Sequence, residues 1–134
     1  MKRFLSRLVS LVLTFVVMIG VMGCSSSPAG LSGDYRQDTL AVVNGLRTAL
    51  ELPDNSPEKT TAQAEARQLI NAFTSQYRRD PAVTKLTSFT TMRTALNSLA
   101  GHYSSYPNRP VPAKLKQRLD QEFKQIEAAL QRGA

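Results

Sequence analysis

The sulfur nucleophile of the chain is a single cysteine, Cys24, and its setting decides what it can do. Lys2, Arg3 and Arg7 make a cationic start, and Leu8 to Met22 is uncharged and apolar apart from Ser10, Thr14 and Gly20. The run ends in Val21-Met22-Gly23-Cys24, with a small residue directly before the cysteine. That is the pattern of a bacterial lipobox. Diacylglycerol attaches to the Cys24 sulfur as a thioether, and cleavage before it leaves Cys24 as the first mature residue. The apolar run is shorter than the roughly 20 residues a spanning helix needs, and its flanks match a cleaved signal. A lone cysteine cannot form an intramolecular disulfide, so no redox framework is expected. Each buried lipid methylene is worth about 0.8 kcal/mol, and two or more acyl chains anchor stably. The mature domain is expected on a membrane surface, tied to it through Cys24.

Little else in the chain could do chemistry. His102 is the single histidine, too few with Cys24 acylated for a zinc site of histidine and cysteine. The carboxylates are dispersed and lack the Glu-x-x-His pairs of a bundle metal site. No glycine-rich phosphate loop or nucleophile elbow is present. The chain is therefore expected to be no enzyme and to carry no metal or cofactor. Its most unusual surface is His102, Tyr103, Ser104, Ser105, Tyr106, Asn108 and Arg109, which sets aromatic, cationic and amide groups beside a proline-rich connector. Tyrosine and arginine are enriched where proteins dock. The bland alternative has Tyr103 and Tyr106 closing the end of a core with their hydroxyls in water. Arg78-Arg79 is a second candidate, against a reading as cations at a helix C-terminus.

These groups need elements to hold them. Without residues 1–23, 111 residues remain, with fourteen Lys and Arg against ten Asp and Glu, a side-chain charge of +4. That is enough for one domain with a single core. The modest, scattered charge argues against nucleic acid, although the whole chain is +7 with a pI near 10.0. Acidic protein loops or anionic headgroups stay compatible with this charge, against the alternative of a mixed-charge surface that merely keeps the domain soluble. Residues 24–33 (after Cys24, Ser-Ser-Ser-Pro-Ala-Gly-Leu-Ser-Gly) read as a lipidated flexible tether.

The remainder, 34–134, carries helical periodicity. The first helix runs from Asp34 to about Leu50, with Val42-Val43, Leu46 and Ala49-Leu50 on one face and acids Asp34 and Asp38 at its positive end. Gly45 weakens it by up to about 1 kcal/mol, or admits a neighbouring helix. The second starts at Ser56-Pro57-Glu58, with serine as cap and proline at the first helical position, and carries Ala66, Leu69-Ile70, Phe73 and Tyr77 to Arg79. A short turn or single helical turn follows Asp80-Pro81. The third helix starts near Thr87 or Ser88, repeats Phe89, Met92, Leu96, Leu99 and Tyr103, and ends near Ser105. Residues 106–112 hold three prolines and form a rigid, extended connector. Pro112 opens a fourth helix striped by Leu115, Leu119, Phe123, Ile126 and Leu130. The fold class is all-α: an up-down-up-down four-helix bundle preceded by a cleaved signal peptide and tether.

Three stretches carry a resemblance to a known family: residues 30–40 (Gly-Leu-Ser-Gly-Asp-Tyr-Arg-Gln-Asp-Thr-Leu), Tyr77-Arg78-Arg79-Asp80, and residues 88–106 from Ser-Phe-Thr-Thr-Met-Arg to His-Tyr-Ser-Ser-Tyr. Pro110-Val111-Pro112 and Lys114-Leu115-Lys116 extend it. The chain resembles the cyanobacterial photosystem II assembly and repair lipoproteins of the thylakoid lumen. Membership implies a four-helix bundle anchored on the lumenal side of the thylakoid membrane. It implies transient binding to immature photosystem II, chiefly through the lumenal loop of an inner-antenna chlorophyll protein, and help in maturing the manganese cluster. A monomer that catalyses nothing and binds no nucleic acid is expected. The rival reading is an envelope lipoprotein unrelated to photosynthesis.

Overall fold

The computed structural model describes residues 30–107 and 109–134. The expected signal peptide 1–23, Cys24, the expected tether up to Ala29, and Asn108 lie outside the described residues. Within them the chain is all-helical: α1 (Tyr35–Glu51), α2 (Glu58–Tyr77), the single turn α3 (Pro81–Thr84), α4 (Thr87–Ser105) and α5 (Ala113–Gln131). None of these helices is long and apolar enough to cross a membrane.

The four long helices pack as a ring in which α1 touches α2 and α5, and α4 touches α2 and α5. Short connections force neighbours to run antiparallel, giving the up-down-up-down bundle. The apolar stripes meet on its axis. Val42, Val43, Leu46, Met92, Leu99, Leu119, Phe123 and Ile126 are fully buried. Tyr35, Phe73, Tyr77 and Phe89 form an aromatic cluster with successive centroids 5.0–6.5 Å apart.

Gly45 is where α1 and α2 approach: a Cβ there would stand 2.6 Å from Leu69 Cδ1. That methyl is the end of a half-buried side chain and can turn aside. Gly45→Ala should therefore stay within about 1 kcal/mol of the parent in urea unfolding, since alanine's helix propensity offsets the crowding. Gly45→Val adds branched bulk and should cost about 1–3 kcal/mol.

Several local expectations change. Helix α2 is capped by Pro57 without a side-chain bond, and the Ser56 hydroxyl is buried with no partner. The Ser56 carbonyl instead accepts the Lys59 N–H at 3.2 Å, so the turn is closed by backbone. Pro112 is the N-cap of α5 rather than its first residue, and α2 stops at Tyr77, leaving Arg78-Arg79 in a turn. The connector 106–112 is not extended throughout. The Arg109 N–H donates to the Tyr106 carbonyl at 3.1 Å, closing a turn, and Val111 is buried in the core.

The larger correction concerns the tether. Its last residues are part of the fold: Leu31 is buried, and Ser32 and Gly33 are held by Asp38. The Asp38 carboxylate, only 2 % exposed, accepts the Ser32 N–H at 2.6 Å, the Ser32 hydroxyl at 2.8 Å, the Gly33 N–H at 2.9 Å and the Tyr77 hydroxyl. Gly33 takes φ 92°, a conformation suited to a residue without a Cβ. Burial alone would raise the Asp38 carboxyl, but the bonds from Tyr77, Ser32 and Gly33 outweigh it and hold it below its ordinary value. Burial first, and then that carboxylate, push the Tyr77 hydroxyl far above its usual range, so it remains a donor. Beside this network the Tyr35 and Ser88 hydroxyls are bonded at 2.8 Å, and Ser88 N–H donates to the Ala134 carbonyl at 2.9 Å. The start of α1, the end of α2, the start of α4 and residue 134 thus meet at one end of the bundle, where the tether joins it.

Candidate docking surface

At the opposite end, α4 finishes at His102 and beyond. The Tyr106 N–H closes the helix by donating to the His102 carbonyl at 2.8 Å. That bond brings the two rings together, with centroids 5.6 Å apart. The turn at 106–109 then lays the Arg109 guanidinium over the other aromatic, 5.4 Å from the Tyr106 centroid. His102 Nε2 lies 3.3 Å from the Arg109 carbonyl oxygen, within reach of a hydrogen bond to it. The result is a stack of imidazole, phenol and guanidinium held by its own backbone. Tyr106 is 48 % exposed, the one large hydrophobic side chain in the open among the described residues. A rigid aromatic flanked by a cation loses little entropy on binding, which suits an anchor at a protein interface.

Tyr103 takes a different part. It is 2 % exposed, and burial pushes its hydroxyl above the ordinary range. It lies under Arg67, whose guanidinium sits 5.6 Å from the ring centroid and donates to the Tyr103 carbonyl at 2.7 Å. Tyr103 therefore closes the core, while Tyr106 is presented to solvent. Beside the stack is a polar notch of about 190 Å³ lined by Asp54, Lys59, Thr60, Gln63 and Arg109 with the connector prolines. Lys59 is committed elsewhere. Its buried Nζ donates to the Ala49 and Leu52 carbonyls at 3.0 and 3.1 Å and pairs with Asp54 at 3.6 Å, which caps the C-terminus of α1.

Arg78 and Arg79, the second candidate, are exposed at the end of α2. Because α2 and α4 run antiparallel, the arginine pair and the Tyr106 stack lie at opposite ends of a bundle about 30 Å long. The two candidates are separate surfaces. Among the described residues no group of three or more His, Cys, Asp or Glu is placed to hold a metal. A groove of about 270 Å³ between α1 and α5 is floored by Leu50 and Phe123. Arg47 crosses it, 5.7 Å above the Phe123 ring, paired with Glu127 and 4.0 Å from Asp120.

Sequence reading missed Asp38, Lys59 and Arg67 as positioning residues. For Asp38 a signal existed: it falls on the buried stripe between Tyr35 and Val42, where a carboxylate needs a partner. For Lys59 and Arg67 no local pattern marked the acceptors, which are backbone carbonyls on other segments.

The family model described as Photosystem II Pbs27 matches residues 6–130. The chain is 55 % identical over 134 residues to the photosystem II assembly factor lipoprotein Psb27 of Thermosynechococcus vestitus, covering 100 % of this chain and 98 % of that one. This chain belongs to the photosystem II Psb27 family. The Psb27 lipoprotein of Synechocystis is 51 % identical over 133 residues, covering 99 % and 97 % of the two chains. The chloroplastic photosystem II repair protein PSB27-H1 of Arabidopsis thaliana is 38 % identical over 101 residues, 75 % of this chain and 58 % of that one. Solved structures agree in fold. The solution structure of Psb27 from cyanobacterial photosystem II superposes with TM-score 0.76 at 51 % identity, covering 82 % of this chain and 96 % of that one. The crystal structure of the Arabidopsis protein gives 0.72 at 38 %, covering 75 % and 98 %. Expectations of a Psb27-like helical fold drawn from residues 30–40, 77–80 and 88–106 are met.

Proposed function

We propose that this protein is a non-catalytic photosystem II assembly and repair factor. It binds lumenal parts of immature photosystem II transiently, chiefly the lumenal loop of an inner-antenna chlorophyll protein, and assists maturation of the oxygen-evolving manganese cluster. The signal peptide 1–23 is removed, and acylated Cys24 holds the domain on the lumenal side of the thylakoid membrane. The observation that carries this reading is identity of 55 % across the whole chain to a relative named as a photosystem II assembly factor lipoprotein. The exposed Tyr106 stack, with His102 and Arg109, supplies a docking surface consistent with it. The rest of the bundle holds that surface in place.

Affinity purification of the tagged protein from gently solubilised membranes, with cross-linking, tests the role. Photosystem II subunits without the extrinsic oxygen-evolving proteins are expected. Recovery of only envelope proteins would refute the assignment. Deletion of the protein should slow the return of oxygen evolution after photodamage. For the anchor, Cys24→Ser should move most of the protein from the membrane to the soluble fraction, because the mutant lacks the acyl chains that make binding stable. Full membrane retention of Cys24→Ser in high salt would refute lipidation as the attachment.

A further inference from the structure

We propose that the tether end of the bundle is a membrane-seating surface, on which exposed cations meet anionic lipid headgroups. The inference rests on the Cys24 anchor proposed above. The tether enters the fold at one end only, where Leu31 is buried and Asp38 holds Ser32 and Gly33. From Cys24 to Gly30 the chain can extend at most about 20 Å. That is shorter than the bundle, so this end stays nearest an anchored Cys24.

The charges at that end are arranged for an anion. Arg36, Arg78, Arg79, Lys85 and Arg132 all stand there, exposed. None of the five has a carboxylate within ion-pair distance among the described residues; Arg67, Arg93, Arg109, Lys114 and Lys116 elsewhere also lack one, so what sets these five apart is that they gather where the tether enters. The acids nearby are fewer: Asp34 and Asp80, which cap α1 and α3 and keep their charge, and Asp38, buried in its hydrogen bonds. Helix dipoles account for Arg78 and Arg132, at the C-termini of α2 and α5. They do not account for Arg36, which sits in the first turn of α1, where a cation is disfavoured. Five exposed cations at the end where the tether enters, one of them at the start of a helix, fit a surface that faces negative charge.

A single arginine or lysine near an anionic bilayer shifts binding about fivefold, and the effect dies within about 10 Å. Lipid chains would hold the protein, and the five cations would orient it. Seated this way, the bundle stands on its tether end and carries the Tyr106 stack about 30 Å out from the bilayer, toward a partner's protruding loops. A tether without the Asp38 contacts would leave that direction unset.

The test uses the acylated full-length protein in vesicles of neutral phosphatidylcholine, or the same with a third phosphatidylglycerol. A fluorophore is placed by Gln76→Cys at the tether end or Ser105→Cys at the far end, with a quencher on the lipid headgroups. Quenching at position 76 should be at least about fivefold greater in anionic than in neutral vesicles, and should fall to the neutral value in high salt. Arg78→Ala with Arg79→Ala should remove most of it, and position 105 should stay unquenched in both vesicles. Equal quenching at position 76 in the two vesicles, with the protein floating with both, would overturn the seat and leave the anchor standing. Preferential quenching at position 105 would also overturn it. Protein floating with neither vesicle would overturn the anchor and the seat together.

Discussion

Asp38→Ala should lower the free energy of unfolding by about 3 kcal/mol at neutral pH, measured by urea denaturation. The carboxylate is 2 % exposed and gathers donors from Ser32, Gly33 and Tyr77. Its removal leaves a buried phenol and two backbone N–H groups without an acceptor, and each orphaned group costs roughly 1–3 kcal/mol. Partial rescue by water entering a site at the end of the bundle keeps the sum near the lower part of that range. Tyr77→Phe removes one donor and leaves the carboxylate its other partners, so it should cost about 1 kcal/mol. The same site gives the bundle a pH dependence. Because the folded-state value lies below the unfolded one, the stability contributed by Asp38 is present above about pH 4 and is lost as pH falls through the folded value. Stability of the parent should therefore decline on acidification below about pH 5. In Asp38→Asn, which cannot titrate, the curve should be flatter over that range. An Asp38→Asn protein with the same acid slope as the parent would show that other carboxylates set it.

Tyr106→Ala should weaken association with photosystem II intermediates by about 30-fold or more while leaving the fold intact. A well-placed interface tyrosine is worth about 2 kcal/mol or more on truncation. Tyr106 is suited to that part because His102 and Arg109 hold it, 5.6 and 5.4 Å away, before any partner arrives. Its ring is 48 % exposed, so truncation opens no core cavity and thermal stability should move by less than about 0.5 kcal/mol. Competition between labelled parent and unlabelled variant for isolated intermediates measures the first quantity, and calorimetry the second. Tyr103→Ala is the contrasting control. It empties a fully packed site and should cost about 3–5 kcal/mol of stability, whatever it does to binding. Unchanged affinity in Tyr106→Ala would place the docking surface elsewhere on the bundle.

How much of this could be read from residues alone differs from place to place. The helical stripes were clear. Leu119, Phe123, Ile126 and Leu130 recur every three or four positions and all lie in the core. The periodicity of an α-helix is a local property, so it survives in the sequence. Pro57, Pro81 and Pro112 marked helix starts to within a residue, because a proline ring restricts the backbone whatever surrounds it. Gly45 was marked as a possible close approach, and the structure places Leu69 against it. The Ser56 cap failed because the turn closes through the backbone, the Ser56 carbonyl accepting the Lys59 N–H, and leaves the hydroxyl without a partner.

The sequence by itself determined the all-helical class, the four amphipathic faces, the resemblance to a photosystem II lipoprotein family and the unusual chemistry of residues 102–109. The class, the faces and residues 102–109 follow from spacing or composition within one stretch of chain, and the resemblance rests on the residues of 30–40, 77–80 and 88–106. Only the tertiary structure decided that Tyr103 is buried while Tyr106 is presented. Only it set the arginine pair and the tyrosine stack at opposite ends, and made Leu31 to Gly33 part of the fold. Those outcomes depend on contacts such as Asp38 with Tyr77, 39 residues apart, or Tyr35 with Ser88, 53 apart. A buried carboxylate finds its donors across the bundle, and no periodicity within a single helix encodes where they are.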